Sequence, residues 1–283
     1  VDAASLTPAT PRADGRPAVN ALLALHLGAC RLHPRVAASL PKFCAVLSSR
    51  AGFSLSPETL QSYEELFAAF TAGKVALSWM PPVLLARALD AGGTLLAVPQ
   101  RAGAMAYRAA ILVRKNSDAR TLEDLRGRRA AWVDRASASG YLFPRLELTQ
   151  RHGFDAERPF SSEMFHGTTV RAAAAVASGE ADLCACFVTE SAIGNPERAA
   201  ADLSRALGPL ADRLRPMHFS ERIPPDGLIA SAHLDAKTRD QLARALLTLH
   251  ESVEGAEALQ ALLQATGLNP PPTELARSLE IWK

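Results

Sequence analysis

The sequence contains no uninterrupted apolar run of about 18 residues, the length a membrane-spanning helix requires, and no charged-then-apolar opening of signal-peptide form. Net charge is nearly absent: 31 Lys and Arg against 29 Asp and Glu leave +2 over 283 residues. A field that weak draws in neither nucleic acid nor an anionic membrane, so a nucleic-acid partner is not expected and function must reside in a small, local site. The four cysteines, Cys30, Cys44, Cys184 and Cys186, lack the C-x-x-C pairing of a structural zinc site, so neither a metal nor a cofactor is expected. Cys184 and Cys186 stand two apart in an apolar run and share one face of a strand as core thiols. Cys30 and Cys44 remain open between separate thiols and a disulfide formed in an oxidising compartment, because sequence does not supply the approach of their Cα atoms. Sequence repeats are absent as well.

What is present is a hydrophobic content of 48%, enough to bury one large core or two moderate ones. The opening VDAASLTPATPRADGRP, rich in Ala, Pro and polar residues, reads as a flexible lead-in over 1–17 that could follow a removed leader. Beyond it, short apolar strands alternate with helical stretches, the order of an α/β protein whose sheets are covered by helices. Ser62-Tyr63-Glu64-Glu65 is a capping box, opening a helix that carries Leu66, Phe67 and Phe70 on one side and stops near Gly73. Strands are expected at 75–79, 107–113, 130–133 and 181–186, and helices after Pro81-Pro82, over 121–127, up to about His152-Gly153 and over 169–178. A Pro-rich crossing, Ile223-Pro224-Pro225-Asp226-Gly227, precedes a mostly helical end in which Leu242, Leu246 and Leu249 form one buried stripe.

Ser137-Ala138-Ser139-Gly140, between the strand at 130–133 and the helix after it, has two readings. It is an ordinary N-cap, or it is an anion seat in which unsatisfied amides, the positive end of the helix and two hydroxyls face a ligand. His166 likewise reads as structural or as a ligand contact. An enzyme would need an acid and base that converge, or a Lys suited to a cofactor aldehyde. The best carboxylates, Asp226 and Glu190, have no adjacent His or Lys, so catalysis is not expected.

Four phrases in order, SYEELFAAFTAGKVALSWMPP, ILVRKNSDARTLEDLRGRRAAWVDRASASGYLFPRLEL, FHGTTVRAAAAVASGEADL and SERIPPDGLIASAHLDAKTRDQL, resemble the phosphonate-binding solute receptors of bacterial ABC importers. The likeness covers most of the chain beyond Pro17. It implies a two-lobed α/β architecture of the type II periplasmic-binding-protein kind, each lobe a central mixed sheet flanked by helices, joined by a two-strand hinge. Lobe 1 would comprise 18–112 plus 217–283 and lobe 2 113–216. The resemblance places Ser137, Ser139 and Gly140 on a ligand's anionic oxygens and Asp226 on its amino group, with a looser match at Glu190. It also places Tyr63 and Tyr107 as cleft aromatics, Trp79 as a bulkier wall, and Thr169 where the family commonly has His. Ala138 lacks the hydroxyl that the family has there, so the expected ligand is a small anion, phosphonate-like or another oxyanion, other than 2-aminoethylphosphonate. The resemblance implies a monomeric periplasmic receptor with a small-molecule ligand and a membrane permease as partners. The alternatives are a ligand-sensing domain of a larger, cytoplasmic regulator and, less favoured, an enzyme on the same fold.

Overall fold

A strand that ends at the edge of a sheet and turns at once into a helix leaves the helix amino terminus at that edge, and this chain makes the turn repeatedly. The computed structural model describes residues 25–30, 34–275 and 279; the expected lead-in over 1–17 lies outside them. Strand β1 (Leu25–Cys30) feeds α1 (Pro34–Ala51), β2 (Leu55–Leu60) feeds α2 (Tyr63–Thr71), and β3 (Leu77–Met80) feeds α3 (Pro82–Asp90), after which β4 (Thr94–Gln100) follows. The middle of the chain supplies β5 (Tyr107–Arg114), β6 (Arg129–Trp132), α4 (Phe143–Arg151), β7 (Ser162–Phe165), α5 (Thr169–Ser178), β8 (Leu183–Thr189), α6 (Pro196–Leu207) and β9 (Leu214–Phe219). The last part supplies β10 (Gly227–Ala230), α7 (Ala236–Leu247), α8 (Val253–Leu263) and β11 (Gly267–Asn269).

Two mixed sheets result, one of six strands in the order β11-β4-β10-β3-β1-β2 and one of five in the order β7-β6-β8-β5-β9. This is the helix-flanked, two-sheet α/β architecture that the sequence led us to expect. Strand β2 lies at an edge, which is why it tolerates Pro57. The chain passes between the sheets twice, over 101–106 and 220–226. The two passages pair at one point, where the Tyr107 amide donates to the Ile223 carbonyl and the Ile223 amide to that of Tyr107 (3.2 and 2.8 Å). All of β5 and β9 run in the five-stranded sheet, so 107–112 and 217–219, expected in lobe 1, hydrogen-bond within the second sheet.

Local signals act as written. The Ser62 hydroxyl accepts the Glu65 amide, while the Glu65 carboxylate takes the amide of Gln61, one residue before the cap. Helix α5 ends on Gly179 in the left-handed conformation, φ +89°. The expected helix over 121–127 is only a 3₁₀ turn, Glu123–Leu125. There the Asp124 carboxylate accepts the amides of Arg120 and Thr121, and Gly127 turns the chain at φ +67°.

Each sheet buries one face on apolar residues of its own, while a further cluster joins Leu66, Phe70 and Met80 of the first to Ala131, Ala172 and Cys184 of the second. Leu27, Phe43, Leu246 and Leu262 pack under the first, and Ile111, Trp132, Leu148 and Phe160 under the second. Leu242, Leu246 and Leu249 are fully buried, as one stripe should be. Cys30 and Cys44 are buried thiols and do not bridge; burial pushes the Cys44 thiol up to about 12. Cys184 and Cys186 lie in the core on β8. Among the described residues no helix is long and apolar enough to cross a membrane.

Asp182, just before β8, accepts two side-chain hydrogen bonds from Arg129 (2.9 and 3.0 Å) and the Arg129 amide, and these lower its carboxyl pKa to about 2 against burial that would raise it. A folded pKa below the unfolded value of 3.8 adds stability above that value, lost as pH falls toward 2. The shift corresponds to at most about 2 kcal/mol, nearer 1 because Arg129 is half in water. Denaturant titrations of wild type and Asp182→Asn should therefore differ by about 1–2 kcal/mol at pH 6 and converge only below the folded pKa, by about pH 1. An equal difference at both pH values would refute the ion pair as its source.

Candidate functional site

Strands β1, β2 and β3 are mutually parallel, as are β6, β7 and β8, so the helices that follow them begin on the facing edges of the two sheets. Between those edges lies a cavity of about 140 Å³. That is roughly ten water sites, the room for a small solute. Arg35 in the first turn of α1, Tyr63 opening α2, Pro81 before α3, Ser137 to Ser139 before α4 and Thr169 opening α5 all line it. Helix starts carry unpaired amides and partial positive charge, so five of them converging favour an anion.

Ser137 is buried and caps its turn, its hydroxyl oxygen accepting the Gly140 amide at 3.2 Å, so capping and cavity lining coexist in one residue. The turn it opens, Ala138–Leu142, is a π-helical one continuous with α4, which aims the half-buried Ser139 at the cavity. Thr168, not Thr169, caps α5, accepting the Arg171 amide at 3.1 Å, and Thr169 lines the cavity. Tyr63 and Tyr107 also face in, and burial raises both phenols well above their ordinary range, so they meet a ligand as neutral groups. The Tyr107 ring packs on Phe187 at 5.1 Å.

Asp226 lines the cavity, but its carboxylate is already engaged. Arg101 donates to both oxygens (2.7 and 2.8 Å), and the Trp79 indole donates to one of them. Both charged side chains are under 10% exposed, and Arg101 is held by a third bond to the Leu263 carbonyl. The expectation that Asp226 offers a ligand's amino group a free carboxylate is thereby corrected, since three of its roughly four lone-pair positions are taken inside the protein and its charge is paired with Arg101. Arg35, its pKa lowered to about 10 by burial and then by neighbouring Arg101, brings the lining to two arginines against one carboxylate.

Two further expectations are corrected. Glu190 does not line the cavity; it binds Arg108 through both oxygens (3.0 Å each) and Arg222 (3.0 Å), tying β5 to the return passage. Gly140 lies behind the loop, where an added Cβ would come within 2.5 Å of Val133 and 2.7 Å of the Ser137 hydroxyl. Its smallness serves packing. His166 does not reach the cavity either. Sequence reasoning missed Arg35, Arg101, Phe187 and Gln264. A Gly-containing turn at Ala102-Gly103, with φ of +49° and +82°, was the only local sign that Arg101 is turned inward.

Residues 31–274 match the family described as the periplasmic substrate-binding protein of phosphonate ABC transporters. No curated protein is significantly similar in sequence. Among solved structures, a binding-protein component of a phosphonate ABC transporter from Pseudomonas aeruginosa is 20% identical with a TM-score of 0.78, over 92% of this chain and 86% of that one. PhnD1 from Prochlorococcus marinus, in complex with methylphosphonate, is 17% identical with a TM-score of 0.75, over 92% and 96%. A Xanthomonas citri protein with bound chloride is 22% identical with a TM-score of 0.73, over 92% and 95%. At these identities the likeness is one of fold.

Proposed function

The chain belongs to the family of periplasmic substrate-binding proteins of phosphonate ABC transporters, and from that premise we propose that it is a monomeric periplasmic receptor for a small anion with an apolar body. The anion is an alkylphosphonate or a similar oxyanion, which the receptor hands to a membrane permease. The family is a transporter component and not an enzyme. The observation that carries the ligand class is the cavity itself: five helix starts with Ser137, Ser139 and Thr169 line it, while its carboxylate is engaged by Arg101 and Trp79. Val36, Val133 and Phe187 supply the apolar wall. An ammonium group placed there would meet two arginines and a single carboxylate whose charge is already paired with Arg101.

The two sheets are the centres of two lobes, whose described parts lie within 25–106 plus 220–275 and 107–219, and which close on the ligand about the passages paired at Tyr107 and Ile223. The test is calorimetry and thermal shift with methylphosphonate, ethylphosphonate, phosphite, methanesulfonate, acetate and 2-aminoethylphosphonate. One of the first four should raise the melting temperature, and 2-aminoethylphosphonate should bind at least about tenfold more weakly than ethylphosphonate, or 1.4 kcal/mol. No stabilisation by any of these anions would end the anion reading. Submicromolar affinity for 2-aminoethylphosphonate would end the exclusion of an ammonium.

Ser139→Ala removes one donor from the proposed anion seat. It should weaken binding by about 0.5–3 kcal/mol and leave folding intact, since Ser137 and not Ser139 is the cap. Ser204→Ala, on an exposed position of α6, serves as the control. Equal affinities in the two variants would remove the loop from the site.

A further inference from the structure

Away from the cavity, the five-stranded sheet brings two imidazoles to one carboxylate. Glu147 lies on α4, His152 is the residue that ends that helix, and His218 lies on β9. His218 Nε2 is 2.6 Å from Glu147 Oε1, and His152 Nε2 is 3.9 Å from the same oxygen. The three ligand atoms all fall within 4.8 Å of one another, and the two rings meet edge to face at 5.3 Å. The other oxygen of Glu147 accepts the Glu221 amide at 2.9 Å, which fixes the carboxylate from behind.

A plain ion pair needs one imidazole on that oxygen. Here a second ring is aimed at it from 3.9 Å, too far for a hydrogen bond. Ligands about 2.0–2.1 Å from a tetrahedral ion stand roughly 3.4 Å apart, a spacing that the two measured distances bracket. All three side chains are partly exposed, so water can complete the coordination. The donor set, two imidazole nitrogens and one carboxylate oxygen, suits zinc and its neighbours and not calcium or magnesium, which prefer all-oxygen shells. Cysteine spacing gave no sign of it, because the ligands come from elements 71 residues apart.

We propose that Glu147, His152 and His218 form a binding site for a divalent transition metal, zinc being the ion its donors fit best. The site is separate from the solute cavity, and the ion joins the end of α4 to β9 beside the return passage.

The test is calorimetric titration of ZnCl2 into the full chain, free of any polyhistidine tag and stripped with chelator, with Co2+ absorption as a second readout of coordination. One equivalent of zinc should bind and raise the melting temperature. His152→Gln and His218→Gln should each weaken binding by more than the roughly 10–100-fold that loss of an outer-shell partner costs. His233→Gln and His250→Gln, at exposed positions elsewhere, should change nothing. His218→Gln disturbs a hydrogen bond, so His152→Gln, whose ring makes none to Glu147, carries the decision if the other variant misfolds. Absence of saturable binding at 100-fold excess over a protein concentration of about ten micromolar would overturn the proposal. So would zinc affinity unchanged in His152→Gln, which would leave the trio as a carboxylate paired with imidazoles.

Discussion

Asp226→Asn is expected to lower stability by about 3–5 kcal/mol, the cost of leaving one member of a buried ion pair without its partner. The substitution keeps the shape of the side chain and an oxygen for the Trp79 indole, but strands the Arg101 guanidinium, whose side chain is only 6% exposed. Two controls separate this from general damage. In Arg101→Met/Asp226→Asn both charges are gone, so the double variant should lose less than the single one. Saturating anion should restore part of the stability of Asp226→Asn, because the stranded cation faces the cavity and becomes a ligand contact. Denaturant unfolding of the three proteins, with and without the best-binding anion, measures all of this. A single variant as stable as wild type would mean that the pair is not sealed from solvent as described.

The second large effect is expected at Gly140. Valine there has no space: the first added carbon already overlaps Val133 and the Ser137 hydroxyl, before the two methyl groups are counted. Overpacking of this kind costs about 1–3 kcal/mol and sometimes more, and two opposing contacts under 2.8 Å put this case at the upper end. The strain falls on the residue that caps the π-helical turn, so Ser139 and the first amides lose their aim, and affinity should fall more than tenfold even where the protein remains folded. Gly140→Ala should show the same pattern at smaller size. Wild-type stability together with wild-type affinity in the valine variant would show that the loop tolerates rearrangement.

What could be read from sequence was whatever is decided within a few residues. The Ser62 cap, the stop of α5 at Gly179, the strand over 107–113 and the serine-bearing helix start each depend on neighbours in the chain, and each is present. Ordered phrases extended this to the architecture. What remained hidden was partnership over distance. Arg101 and Asp226 are 125 residues apart, and Glu190 meets Arg108 across 82, so nothing near Asp226 revealed that its charge was committed. Asp124 shows the reverse error, a short-range one, in which a side chain took the amides at 120 and 121 and cut the expected helix to a single turn.

The order of the six-stranded sheet bears on how the chain comes to exist. Strand β10 lies between β3 and β4, antiparallel to both, yet it is made only after the whole five-stranded sheet has emerged. At synthesis rates of about 5–20 residues per second, β3 and β4 wait roughly six to twenty-five seconds with open edges facing each other. The contiguous segment 107–219 carries every strand of its own sheet and can complete it within that interval. The five-stranded sheet is thus closed within one contiguous segment, while the six-stranded sheet is completed only by the chain that follows it.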